Sequence, residues 1–448
     1  MRLYITVETT SRELDAKILL ACCAAEAGFD VIIGLEDMVR RLCRFSDPGI
    51  FFDKSLHSEY PVLFKQLKKL GYLVAVSDEE GLAGDFDQYC KFGVGEGVAD
   101  TVDMIFAWGE MHRQLIYKAM PEYAGFVIEA GNPRMDILGA ELRLFFNSKV
   151  QEIKKEYGDF ILVNTRYGFS NNVIGGEEFK KRILRGDLGE KVDYLLDFYD
   201  FEEALWNEFL KMTELLSRRY PDRNIILRPH PSESIDRWQT ALHALENVKV
   251  IREGNVHPWI LASDMLIHNG CSTAIEALLL DVPCVCYRPI LSEKCDVVLP
   301  NLVSYNVYDI NGLCSFVESP LIYSTFDKKE GWKRILKKYI FSITGRKSVE
   351  IIVDGLIELS RKKTKRNIVV SSSMRCAGYA SHIWRVIRYA LRKKYKRSEI
   401  KLNSKWIPCS LEKFEGIVRG YGFYNSKFNE LDVSSAYYDC FRIRKKLR

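Results

Sequence analysis

Residues 3–34 read LYITVETTSRELDAKILLACCAAEAGFDVIIG, an apolar run, a helical segment and a second apolar run within one supersecondary unit. Leu3 to Val7 predicts a strand. Ser11 to Ala27 carries helical periodicity through Leu14, Ile18 or Leu19, and Cys22 or Cys23, and Gly28 ends that helix. Phe29 to Gly34 then predicts a parallel second strand, since a helix returning the chain between two strands is the βαβ unit of a helix-covered parallel sheet. Further strands are predicted at 50–52, 73–76, 104–107 and 126–128, which makes residues 1–150 one doubly wound domain. The pattern restarts at Phe160–Val163. Strands follow at 224–228, 248–251, 265–268 and 283–287, with a polar helical segment from about Phe201 to Arg219, so residues 151–355 form a second Rossmann-like domain. The expected architecture is α/β: two doubly wound domains facing a cleft, followed by a basic, partly helical tail at 356–448.

A chain of 448 residues with 47% hydrophobic content can bury full-sized cores without staples. Its twelve cysteines are scattered, without the paired spacing of a zinc site or the density of a secreted scaffold. The histidines lack H-E-x-x-H spacing, so neither a metal nor another cofactor is expected. No signal-peptide apolar region opens the chain, and no apolar run approaches the ~18 residues of a spanning helix. A cytoplasmic protein is the expectation. The net charge of +5 conceals an asymmetry: residues 360–448 hold 23 Lys plus Arg against 6 Asp plus Glu. Within them His382 to Arg397 places Ile383, Ile387, Ala390 and Leu391 on one helical face and Arg385, Arg388, Arg392 and Lys396 on the other. Such a basic amphipathic helix suits the anionic inner face of a membrane; nucleic acid is the less favoured partner.

Three strand ends carry chemistry. Residues 224–231, NIILRPHP, are a buried-type strand stopped by Pro229, which cannot donate to a ladder. Ligands bind at the carboxyl ends of strands in open α/β sheets, so Arg228 and His230, fixed by Pro231, are expected to meet an anion. After Val76 come Asp78, Glu79 and Glu80, where one carboxylate can serve as base or nucleophile; a solvated helix start is the plainer reading. After Ile267 come Asn269, Gly270, Ser272 and Thr273, a small-residue turn opening a helix. Its N–H groups and hydroxyls suit a phosphate, with Glu276 one turn on, placed to hold ribose hydroxyls. Asn132 and Arg134 after one strand, Asn164, Thr165 and Arg166 after another, and His257 are weaker cleft candidates. Gly93, Gly95 and Gly97 lack the order of a dinucleotide fingerprint and are read as a loop.

Taken in order, Glu79-Glu80-Gly81, His230-Pro231 and Ser272-Thr273 resemble the acidic, HP and hydroxyl-rich motifs of bacterial sialyltransferases and Kdo transferases. Glu8-Thr-Thr-Ser-Arg-Glu-Leu-Asp-Ala-Lys17, Gly131-Asn-Pro-Arg134 and Arg228-Pro-His-Pro231 together look like the bacterial surface carbohydrate biosynthesis protein family over most of residues 1–345. The resemblance implies a GT-B glycosyltransferase moving a sugar acid from a CMP-sugar to a lipopolysaccharide, O-antigen or capsule acceptor. The acceptor would bind the first domain and CMP the second. It further implies that His230, Ser272 and Thr273 hold the donor phosphate and that Asp78, Glu79 or Glu80 acts on the acceptor hydroxyl or the anomeric carbon. Three acidic residues stand here where the family pattern has two, leaving the acting one open. A CDP-glycerol or CDP-ribitol polyol-phosphate transferase is an alternative, needing a second catalytic histidine at 257 or 268. A non-catalytic nucleotide-sugar-binding scaffold at the membrane is another.

Overall fold

The computed structural model describes residues 1–57, 60–79, 94–188, 192–323, 325–343, 345–361, 380 and 406–446. Glu80, Gly81, Gly93 and the amphipathic segment 382–397 lie outside them. The chain divides into two compact units, Met1–Leu142 with Lys337–Arg448, and Arg143–Leu336.

The first unit is built on an eight-stranded sheet. β1 (Arg2–Val7), β2 (Asp30–Leu35), β3 (Ile50–Asp53), β4 (Leu73–Ser77), β5 (Met104–Ala107) and β6 (Phe126–Glu129) run parallel in the order β2-β1-β3-β4-β5-β6. Ile5, Val7, Ile33, Phe51, Val74 and Ile105 are fully buried, as strands covered on both faces require. The order reverses between β1 and β3, and such a switch point opens a crevice at the strands' carboxyl ends.

Two further strands complete this sheet and were not expected from the sequence. β13 (Leu431–Tyr437) and β14 (Cys440–Lys445) form an antiparallel pair, and β14 joins β2 antiparallel with Cys440 opposite Gly34. Gly34 permits the approach, because a Cβ there would come within 2.2 Å of the Asp439 carbonyl oxygen. Arg442 seals the edge through a bidentate pair to Asp30, at 2.6 and 2.7 Å. The expected boundaries therefore change. The helix Ser348–Arg361 and residues 406–446 belong to the first unit rather than to the second domain or to a separate tail. Asp136 fixes the helix, accepting the Ser348 and Val349 N–H groups at 2.9 Å each.

The second unit carries six strands, all parallel: β7 (Phe160–Asn164), β8 (Asn224–Arg228), β9 (Val248–Val250), β10 (Met265–His268), β11 (Cys284–Tyr287) and β12 (Tyr305–Val307). Their order, β12-β11-β10-β7-β8-β9, is the Rossmann order, with its switch point between β7 and β10. The sequence signals missed β12, a three-residue strand, and began the helix Val192–Arg219 nine residues late. Both sheets are the doubly wound layers expected of a GT-B-like chain.

Candidate functional site

On the second sheet three strand ends lie side by side, with Asn164 of β7 in register with Arg228 of β8 on one side and His268 of β10 on the other. Arg228 is buried, its guanidinium 4.8 Å from the Trp259 ring centre. Its Nη2 donates to the carbonyls of Glu253, at 3.0 Å, and Gly254, at 3.3 Å, while Nη1 has no hydrogen-bond partner among the described residues. Burial pulls its pKa down to about 9, and it remains a cation at neutral pH.

Beyond the strand, the loop holding His230 is clamped from two sides. The fully buried Glu233 accepts the His230 N–H and the Thr165 hydroxyl, both at 2.9 Å, the Trp238 indole N–H at 3.0 Å and the Asn171 amide at 3.3 Å. Burial raises the Glu233 pKa although its partners all donate. From the other side Arg252 donates to the carbonyls of His230 and Glu233. His230 Nδ1 accepts the Ser232 backbone N–H at 3.2 Å and lies 2.7 Å from the Ser232 hydroxyl. A backbone N–H can only donate, so the neutral ring carries its proton on Nε2. Glu233 had no signature in the sequence, since a glutamate three residues after a histidine marks nothing by itself.

The turn after β10 differs from its expected form. Gly270, at φ +84°, and Cys271 point their N–H groups inward to His268 Nδ1, at 3.0 and 3.3 Å, rather than outward to an anion. The backbone cradle is therefore largely occupied. Ala274 and Ile275 N–H likewise bond the Cys271 and Ser272 carbonyls, leaving the exposed Ser272 and the Thr273 hydroxyl as the turn's remaining polar groups. His268 shapes the turn. Its Nε2 donates to Ser304 at 3.0 Å, and burial lowers its pKa to about 3, so the ring is neutral and fully engaged. That removes it as the second histidine of a polyol-phosphate transferase. His257 is also buried, with Nε2 3.5 Å from Glu276 Oε2 and Nδ1 unpartnered. Glu276 thus faces His257. Asn269 donates to the Arg166 carbonyl at 3.4 Å, and Arg166 stands 5.4 Å from the Phe198 ring.

The first unit brings its three motifs into one charged constellation. Glu79 Oε1 lies 3.4 Å from Lys17 Nζ, while Oε2 lies 3.4 Å from the Asn132 amide and 3.7 Å from Arg134 Nη1. Asn132 also caps the short helix Pro133–Asp136, accepting the Arg134 N–H at 2.9 Å. Lys17 pairs with Glu13, one helical turn earlier, at 2.8 Å and donates to the Thr6 carbonyl at 2.9 Å. Burial works against both charges. The mutual attraction prevails, holding the Glu13 pKa below and the Lys17 pKa above their ordinary values. Around them Lys54 pairs with Glu8 and with Glu36, and Arg40 pairs with Glu36 and, at 3.2 Å, with Asp53. Asp78 is buried, its carbonyl accepting the Trp108 indole N–H. Lys17, Glu13, Lys54 and Arg40 were not singled out from sequence, although the first two lie inside the quoted Glu8–Lys17 motif.

Among the described residues no group of three or more His, Cys, Asp or Glu is placed to hold a metal ion, and no helix is long and apolar enough to cross a membrane.

No family model matches the chain, and no curated protein matches it in sequence. Among solved structures it is similar to the UDP-GlcNAc 2-epimerase of Methanocaldococcus jannaschii, with a TM-score of 0.49 and 15% identity, covering 80% of this chain and 100% of that one. A putative UDP-N-acetylglucosamine 2-epimerase from Listeria monocytogenes gives 0.49 at 12% identity, covering 82% and 99%. Anabaena Alr3699/HepE, in complex with UDP-glucose, gives 0.42 at 9%, covering 80% and 99%. At these identities the likeness concerns the chain trace alone.

Proposed function

We propose that this chain is a glycosyltransferase that moves a sugar acid of the Kdo or sialic-acid type from a CMP-sugar to a bacterial surface glycan. The observation that carries this reading is the pair Asn164 and Arg228, in register beside the switch point of the second sheet, where buried polar atoms meet no partner among the described residues and His230 adds a proton-bearing Nε2. The leaving CMP carries one phosphate. As the glycosidic bond breaks, charge grows on that phosphate, and the Arg228 guanidinium, the His230 Nε2–H and the Ser272 and Thr273 hydroxyls are the groups proposed to stabilise it. The donor set requires no metal in this scheme.

In the first unit Glu79 is the proposed acting carboxylate, as base toward the acceptor hydroxyl or as nucleophile toward the anomeric carbon. Support comes from its fixed place between Lys17, Asn132 and Arg134, which joins three separate motifs of the family resemblance at one side chain. Glu80 remains a further candidate outside the described residues. The basic segment 382–397 is the proposed contact with the inner membrane face, where a lipid-linked acceptor would be met.

Thermal shift and calorimetry against CMP, CDP, UDP and GDP test the donor, together with slow hydrolysis of CMP-Kdo and CMP-sialic acid. CMP binding and release of free sugar acid are expected. Stabilisation by UDP with none by CMP overturns the donor assignment, and an added phosphodiester in the product mass would establish polyol-phosphate transfer instead. Cells carrying Glu79→Gln should lose the glycan while keeping the folded protein.

A further inference from the structure

Asn164 is 3% exposed at the carboxyl end of β7, and neither its Oδ1 nor its Nδ2 has a hydrogen-bond partner among the described residues. A buried amide with both ends unmade has given up its hydrogen bonds to water without replacement, so such a residue calls for an explanation. Arg228, in register with Asn164 on β8, brings a buried Nη1 that is likewise without a hydrogen-bond partner among the described residues.

A phosphate ester at neutral pH only accepts hydrogen bonds. It can satisfy the Arg228 Nη1–H but not the Asn164 Oδ1. We infer that Asn164 reads a hydroxyl beside the phosphate groups, selecting a ligand in which sugar hydroxyls lie next to an anionic phosphoester. This rests on the nucleotide-sugar reading above and adds to it the residue that distinguishes a glycosyl or ribosyl phosphate from a bare phosphate. Asn164 is central, since its amide oxygen can accept from a hydroxyl while its nitrogen donates to a neighbouring oxygen. The hydroxyls can belong to the ribose or to the transferred sugar.

Calorimetry on the full chain separates the two sources. Wild-type protein should bind CMP about tenfold more tightly than 2′,3′-dideoxy-CMP if the ribose is read, or CMP-sialic acid about tenfold more tightly than CMP if the transferred sugar is read, a hydrogen bond's typical value. Asn164→Leu, similar in volume and apolar, should bring the discriminating ratio within about twofold. Asn164→Asp, which keeps acceptor oxygens, should preserve the ratio at lower overall affinity. Equal ratios in wild type and Asn164→Leu overturn the inference, as they would if the Asn164 oxygen is simply hydrated. Should the wild type bind uridine but not cytidine nucleotides, the same comparison with UMP and dideoxy-UMP still tests the subsite while the CMP assignment falls. A wild-type chain that binds none of these nucleotides overturns both.

Discussion

Glu233 accepts the His230 backbone N–H at 2.9 Å, and through the Thr165 hydroxyl, also at 2.9 Å, the same carboxylate ties the loop after β8 to the end of β7. Turning Glu233 into glutamine puts an NH₂ group against an obligate donor in either orientation, the His230 N–H on one side or the Trp238 indole on the other. Glu233→Gln should therefore cost about 2 kcal/mol of stability in denaturant unfolding and weaken nucleotide binding. An unchanged unfolding midpoint would show that the brace is not needed.

Lys17 neutralises a fully buried Glu13 and reaches Glu79. Lys17→Met leaves Glu13 with backbone donors, Arg12 and the charge of Lys54, and a loss of about 3–5 kcal/mol is expected for one broken buried pair. In Lys17→Met combined with Glu13→Gln much of that loss should return. Additive penalties in the double-mutant cycle would place the two side chains in separate roles.

Arg228→Lys keeps a cation but not the fork that bonds the Glu253 and Gly254 carbonyls while presenting Nη1. CMP affinity should fall about tenfold by calorimetry with the fold retained. His230→Ala should lower the rate of transfer about 10²–10³-fold, the usual cost of one donor at a developing anion.

Burial raises the pKa of Asp136 in the first unit and of Glu202 in the second to about 7 each. A carboxyl that titrates near 7 folded and near 4 unfolded takes up a proton on folding between those values. Its contribution is fully present below about pH 4 and is lost as pH rises through 7, with a slope of at most about 1.4 kcal/mol per pH unit. Asp136→Asn and Glu202→Gln should each flatten the stability profile between pH 4 and 7, read from denaturant unfolding at a series of pH values. A slope unchanged in both variants would assign the proton uptake elsewhere.

Periodicity and strand composition carry eleven of the twelve parallel strands, because strands buried on both faces must be continuously apolar and the helices between them amphipathic. Arg228, His230 and Glu79 were legible for a related reason: a charge directly after such a strand has to emerge at the carboxyl edge. What sequence could not convey were the contacts set by long-range packing. Glu233 bonds residues 62 and 68 positions away, and Lys17 meets Glu79 across the sheet. The C-terminal hairpin joins β2 because Gly34 leaves room for Cys440, a fact written at two places 406 residues apart. The turn after β10 reads as an outward anion cradle until His268, an ordinary strand residue by pattern, draws its N–H groups inward. Local chemistry determined which residues reach the carboxyl edges of the sheets; tertiary packing decided which polar atoms there stay unspent, since each buried donor or acceptor used inside the fold is lost to any other partner.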